Sequence, residues 1–185
     1  MTVIRDATPD DAPRFLEIYR YYIENTAVTY ECAVPSEAEF RARIEGTLQR
    51  YPYLVVEDGG VILGYAYAGP LVRRAAADHS CEVSIYLDRD ARRRGLGRQL
   101  YEALEARLKA LGIRNLYAVI AWPPGEDDPY LTTNSADFHA RLGYVPAGHL
   151  HKCGCKFGRW YDLIWMEKFI GPHENEAVAL FPPLW

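Results

Sequence analysis

The chain lacks any apolar run approaching the length of a membrane-spanning helix. Its N-terminus also lacks the basic segment followed by an apolar core that marks a secretory leader. A cytoplasmic protein is therefore expected. Cysteine is sparse: Cys32, Cys81, Cys153 and Cys155 are the only four in 185 residues. That density does not make a disulfide-stapled scaffold, and a reducing compartment is the simpler setting. Positive charge is not in excess. The formal net charge of -4 argues against a general nucleic-acid binder. No internal repeat and no linker-like stretch interrupts the chain. One domain is expected over residues 1–170, with an extended tail over residues 171–185 that could lie against it through Phe181 and Trp185.

What is present is ordinary in bulk. Apolar residues make up 49% and charged residues 25%, enough for a real core in a chain of this length. Val3-Ile4-Arg5 reads as a first strand. Thr8-Pro9-Asp10-Asp11 reads as a helix start, with a capping residue, proline and early acids. Ser36, with Glu39 three residues on, opens a second helix. Tyr53 to Glu57 and Val61 to Ala68 form a hairpin about Asp58-Gly59-Gly60. In Cys81 to Leu87, Cys81, Val83, Ile85 and Leu87 face one way, and Glu82, Ser84 and Tyr86 the other. Leu100, Leu104, Leu108 and Leu111 stripe a helix over residues 97–111, which Gly112 stops. Asn115 to Ala121 is a strand, Ser135 to Leu142 a short helix, and Gly148 to Cys153 and Tyr161 to Glu167 the last strands. Hairpins combined with a crossover helix predict an α/β (α+β) domain built on a mixed, twisted sheet flanked by helices.

Arg92-Arg93-Arg94-Gly95-Leu96-Gly97 lies directly before that striped helix. Amides exposed at a helix start bind phosphate, and the helix dipole assists. Glycine lets backbone approach an anion, and arginine adds charged donors of matching geometry. The turn is built for a diphosphate-like group. It lacks the lysine and following Ser or Thr of a nucleotide-hydrolase phosphate loop, and its glycine spacing is not the dinucleotide fingerprint. A bare reading leaves a solvated basic helix start as the bland alternative.

The segment from Cys81 to Leu111 resembles the cofactor-binding unit of the GNAT superfamily of N-acetyltransferases. There a turn of the form Arg/Gln-x-x-Gly-x-Gly/Ala follows a strand. Here Arg92, Gly95 and Gly97 fill that form. Tyr65 to Pro70, Glu82 with Ile85-Tyr86-Leu87, Asn134-Ser135, His139, Leu142-Gly143-Tyr144 and Lys156 to Asp162 are similar to the phosphinothricin and methionine sulfone/sulfoximine acetyltransferase group. The likeness runs from Ile4 to about Phe169.

The resemblance implies a GNAT-like single domain using acetyl-CoA as co-substrate. It also implies a small amine or amino-acid-like acceptor and a homodimer, with no nucleic-acid or membrane partner. By residue, it implies that Glu82 takes the amine proton and that His139 protonates the leaving thiolate or lines the site. Ile85, Tyr86 and Leu87 would present backbone to the pantetheine and acetyl groups. Arg92, Arg93, Arg94, Gly95, Leu96, Gly97 and Arg98 would hold the pyrophosphate. Asn134 and Ser135 would reach the pantetheine arm, although Asn134 also reads as a helix cap. Tyr30, Arg74, Lys156 and Trp160 would line the acceptor pocket. The chain departs from the group at Ala77, where relatives often carry tyrosine, and in a longer acidic loop from Trp122 to Thr133.

Other classes have weaker support. A non-catalytic acyl-CoA-binding domain would need neither Glu82 nor His139. A peptide or protein N-acetyltransferase would need an open groove. Three adjacent arginines make a poor DNA-binding case. His149, His151, Cys153 and Cys155 share one parity in a predicted strand, but four ligands along a straight strand span too far to surround one ion. No metal site is expected.

Overall fold

The computed structural model describes residues 2–91, 94–125, 127–173 and 180–181. Seven strands form one sheet in the order β1-β2-β3-β4-β5-β7-β6. In chain order the elements are β1 (Thr2–Asp6), α1 (Ala12–Asn25), α2 (Glu37–Leu48), β2 (Tyr53–Asp58), β3 (Val61–Pro70), β4 (Ser80–Leu87), α3 (Leu96–Ala110), β5 (Asn115–Trp122), α4 (Asn134–Arg141), β6 (Val145–Lys156) and β7 (Arg159–Phe169). Every neighbouring pair is antiparallel except β4 and β5, which α3 connects as a crossover.

Two cores follow from strand alternation. Leu54, Val56, Ala66, Cys81, Val83 and Leu116 point to one face and meet Leu100, Tyr101, Leu104 and Leu108 of α3. Tyr53, Val55 and Tyr65 point to the other and meet Phe15, Ile18 and Tyr19 of α1 and Phe40 and Ile44 of α2. Burying each such side chain is worth about 1.5–3 kcal/mol, so each helix is held by its apolar stripe more than by propensity. The stripe on α3 differs from expectation at one end. The helix stops at Ala110, Leu111 is 43% exposed, and Tyr101 completes the buried row three residues before Leu104.

Helix starts carry local signals. Ser36 accepts from the Glu39 amide through its hydroxyl, while the Glu39 carboxylate turns outward to Arg43. At Thr8 the chain makes one tight 3-10 turn over Pro9–Asp11 before α1. Asp11 is held there by two bonds from Arg5. Beyond the sheet, Phe181 packs on Tyr51 at 5.3 Å and under Arg50 at 4.9 Å. Trp185 lies outside the described residues.

The β6–β7 hairpin departs from the straight strand read from sequence. Leu150 pairs with Leu163 but Gly154 pairs with Tyr161, so residues 151–153 stand opposite Asp162 alone. Lys152 takes a left-handed φ of 49° within this bulge. The shared parity of His149, His151, Cys153 and Cys155 is therefore broken. Just beyond the bulge the Tyr30 ring lies flat against Gly154, in the space a Cβ would fill. We expect Gly154→Ala to lower the free energy of urea unfolding by about 1–3 kcal/mol, with the loss relieved in a Tyr30→Leu background. Equal losses in both backgrounds would contradict the contact.

Candidate active site

β4 and β5 pair only over Ser80–Glu82 with Asn115–Tyr117. Both strands continue, β4 to Leu87 and β5 to Trp122, each bonded on its other edge. Past Glu82 and Tyr117 their facing edges diverge. Peptide groups on those edges are without a strand partner, a state that buried backbone rarely tolerates unless something else bonds it. A cleft opens between them. Its apex is a space of about 60 Å³ lined by Ser84, Ile85, Tyr86, Tyr101, Ser135 and His139. Ile85 and Ser135 also line a groove of about 390 Å³ that runs past Leu87, Asn134 and Phe138. Four of the expected cofactor contacts, Ile85, Leu87, Asn134 and Ser135, thus share one groove, and Tyr86 joins at its apex.

The start of α3 lies near the end of β4. Gly95 is its cap residue at φ 75°, a left-handed conformation that favours glycine, and it has no side chain with which to cap the first turn. The first-turn amides are left for an anion. A Cβ at Gly97 would come within 3.1 Å of the Phe138 ring and 3.5 Å of Leu87, so this glycine allows α3 to pack close to α4. Leu96 is buried in the core. Arg94 bonds Asp58 at 2.8 Å, and Arg98 reaches Glu102 at 3.6 Å. Both arginines are exposed. Arg92 and Arg93 lie outside the described residues.

His139 is buried at 3% exposure, with both ring nitrogens engaged. Nδ1 is 2.7 Å from the Ser135 carbonyl, and Nε2 is 3.0 Å from the Tyr101 hydroxyl. A carbonyl only accepts, so Nδ1 carries the proton. In the neutral ring Nε2 is then an acceptor, and Tyr101 donates to it. Burial holds the imidazole below its ordinary pKa, which the Ser135 bond partly offsets. Burial also pushes the Tyr101 phenol well up. Both groups are neutral around pH 7, and His139 presents a lone pair, not a proton, to Tyr101. Asn134 is the first residue of α4 and Thr133 is the cap, so the capping reading of Asn134 is corrected by one position.

On the opposite face Glu82 sits across from Gly69 in β3 and Tyr117 in β5. Burial alone raises its pKa, and no hydrogen bond or ion pair engages its carboxylate among the described residues. Gly69 leaves open space beside it. That space belongs to a cavity of about 520 Å³ walled by Tyr19, Phe40, Tyr53, Tyr65, Tyr67 and Tyr86, with Arg43 and Arg73 also in its lining. Tyr86 therefore separates this cavity from the cleft apex. The Tyr65 hydroxyl is buried without a hydrogen-bond partner. Arg43 is spent on Glu31 and Glu39, whereas no described residue engages the Arg73 guanidinium.

The four residues expected around an acceptor do not gather at this cavity. Arg74 is exposed and outside its wall, and its neighbour Arg73 lines it instead. Tyr30 donates to the Asp162 carbonyl at 2.8 Å under β6. Lys156 is buried and donates to the Thr29 carbonyl at 2.8 Å, its pKa lowered by burial. Trp160 is 56% exposed on the hairpin. Sequence reasoning missed Tyr101 and Arg73. Tyr101 was legible as a polar-tipped member of the α3 stripe, but which of two adjacent, exposed loop arginines lines the cavity has no periodic signal.

A family model described as an acetyltransferase (GNAT) domain matches residues 4–165. The chain belongs to the GNAT acetyltransferase family. A phosphinothricin N-acetyltransferase from Streptomyces viridochromogenes is 36% identical over 90% of this chain and 87% of its own. An L-methionine sulfoximine/L-methionine sulfone acetyltransferase from Pseudomonas paraeruginosa is 36% identical over 91% and 95%. Among solved structures, a GNAT phosphinothricin acetyltransferase from Sinorhizobium meliloti in complex with AcCoA superposes with a TM-score of 0.83. It is 37% identical over 96% of this chain and 95% of its own. For this GNAT enzyme, the Tyr101–His139 pair gives a direct test. Tyr101→Phe and His139→Ala should each lower turnover about tenfold, with the double variant retaining about 0.5–3 kcal/mol of coupling in a mutant cycle. Fully additive losses would contradict a shared role.

Proposed function

We propose that the protein transfers the acetyl group of acetyl-CoA to the primary amine of a small amino-acid-like acceptor of the phosphinothricin or methionine sulfoximine/sulfone class. The observation that carries the reading is the cavity of about 520 Å³ on the Glu82 face of the sheet, which reaches Gly69, the β3 partner of Glu82. Seven of its sixteen lining residues are aromatic, with one uncommitted guanidinium in its lining and one buried, unpartnered hydroxyl. Such a site suits an acceptor with an apolar body and an anionic group.

In this reading the diverging edge of β4 at Ser84–Leu87 bonds the pantetheine arm, supported by Asn134 and Ser135. The first-turn amides of α3 hold the pyrophosphate, with Arg92, Arg93, Arg94 and Arg98 adding charge. The acceptor nitrogen attacks the thioester carbon and the C–N bond forms. A β4 amide stabilises the oxyanion. The C–S bond then breaks and leaves a thiolate. Glu82 takes the proton the amine loses, directly or through one water. His139 orients the Tyr101 hydroxyl at the cleft apex. As an acid it would first need a proton on Nε2, a state burial opposes, so acid catalysis by His139 would strengthen as pH falls. Arg73 anchors the acceptor anion in place of Arg74. We further propose a cytoplasmic homodimer. Four free thiols support a reducing compartment, and exposed Leu150, Phe157 and Trp160 on the edge hairpin support contact with a second copy.

A screen of phosphinothricin, methionine sulfone, methionine sulfoximine, other amino acids and polyamines with acetyl-CoA, following release of free CoA, tests the function. Turnover restricted to peptides would overturn it. Arg73→Ala should raise the acceptor KM about 10- to 100-fold and leave that of acetyl-CoA unchanged.

Glu82→Gln should lower kcat by about 10²–10⁴. In the parent enzyme kcat/KM should rise with pH through the raised Glu82 pKa, and that limb should vanish in the variant. Because the folded pKa lies above the unfolded one, stability falls as pH rises past the unfolded value, and the loss is complete once pH exceeds the folded value. Glu82→Gln should therefore raise Tm at about pH 8 and not at about pH 4. A lower Tm at both would contradict a strained, buried base.

A further inference from the structure

The β6–β7 hairpin carries a cluster that the acetyl-transfer site does not use. His149 Nε2 lies 2.8 Å from Asp162 Oδ2, and His151 Nδ1 lies 3.1 Å from the same oxygen. The two imidazole rings are 4.2 Å apart. The three ligand-capable atoms all fall within 4.8 Å of one another. Hairpin register explains the convergence. His149 pairs with Ile164, so an unbroken ladder would set His151 opposite Asp162 on that same face. The bulge keeps this face for His151 and frees the Lys152 amide, which donates to Asp162 Oδ1 at 2.7 Å. One carboxylate oxygen is thereby clamped, and the other is aimed between two imidazoles. Cys153 turns away, with Sγ 3.6 Å from the Leu150 carbonyl and 3.9 Å from that of Tyr161.

We propose that His149, His151 and Asp162 form a binding site for one divalent transition-metal ion of the zinc class. Two imidazole nitrogens and one carboxylate oxygen are a ligand set that such ions take with water in the remaining positions. Ligands about 2.0–2.1 Å from a shared ion stand roughly 2.9–3.4 Å from each other. The 3.1 Å separation from His151 falls in that range, and the 2.8 Å separation from His149 is just short of it. Small side-chain rotations bring the third edge into range, and the ring of His151 is open to solvent for an ion to reach. On binding, His149 Nε2 and His151 Nδ1 give up their hydrogen bonds to Asp162 and turn lone pairs to the ion. Each neutral ring keeps its proton on the other nitrogen. The Lys152 amide is the outer bond that orients the carboxylate. This ligand set differs from the four-residue set on one strand rejected on length, because its third member comes from the neighbouring strand.

Titration of the full chain with zinc, competed against a chromophoric chelator, tests the site. The parent protein and a Cys32→Ser/Cys153→Ser/Cys155→Ser variant should each bind one equivalent. Binding should weaken by about 100-fold in His151→Ala and in Asp162→Asn, with circular dichroism unchanged. In the parent, zinc should shift the ring resonances of His149 and His151 alone among the five histidines. No binding above that of a His149→Ala/His151→Ala double variant would overturn the proposal. So would binding that survives in the double variant and disappears with the cysteines.

Discussion

Past Glu82 and Tyr117 the one parallel pair among the described strands comes apart, and the arrangement of the cleft follows from that separation. A strand edge in a protein interior must find partners for its peptide groups. Here the partners have to come from something other than the sheet. The apex around Tyr101 and His139 and the groove beside Asn134 adjoin along the edge of β4, sharing Ile85 and Ser135. The start of α3 follows within a few residues, so the same chain segment supplies a backbone edge for an extended arm and helix amides for its phosphates. An extended, phosphate-bearing cofactor answers both demands at once.

The same point in the sheet separates two chemistries. Residues of even number in β4 lie on the α1 and α2 face, where Tyr86 lines the tyrosine-rich cavity, and those of odd number face α3. Glu82 is the last residue before the strands part, and it lies opposite Gly69 of the cavity lining with its carboxylate uncommitted. Tyr86 stands between cavity and cleft. An acceptor on one side and a thioester on the other would meet where the backbone is least paired. The cost is local: a carboxylate with a raised pKa and a buried tyrosine hydroxyl without a partner.

Much of this was legible in the sequence because it rests on short-range pattern. Alternation in Cys81 to Leu87 gave the facing of Glu82, and the Gly95 and Gly97 spacing gave the start of α3. Resemblance then linked those to Asn134 and His139, which the fold gathers around one groove. Features set by long-range geometry were not legible. Arg73 and Arg74 differ only in how an irregular loop turns. The bulge at residues 151–153 comes from the mismatch between two strands, so the parity of His149 and Cys153 could not be judged from one. Tyr30 and Lys156 have the right chemistry for an acceptor pocket but are taken up by Asp162 and Thr29 backbone carbonyls. A polar side chain read from sequence carries no record of whether the fold has already used it.

Backbone hydrogen exchange with and without saturating acetyl-CoA tests the central claim most directly. If the parted edge of β4 is completed by the cofactor, amides within Ser84–Leu87 and the first turn of α3 should exchange more slowly in the complex, while those of β6 should not change. Unaltered exchange along Ser84–Leu87 at saturation would contradict the account, because the cofactor would then be binding without using the edge that the sheet leaves open.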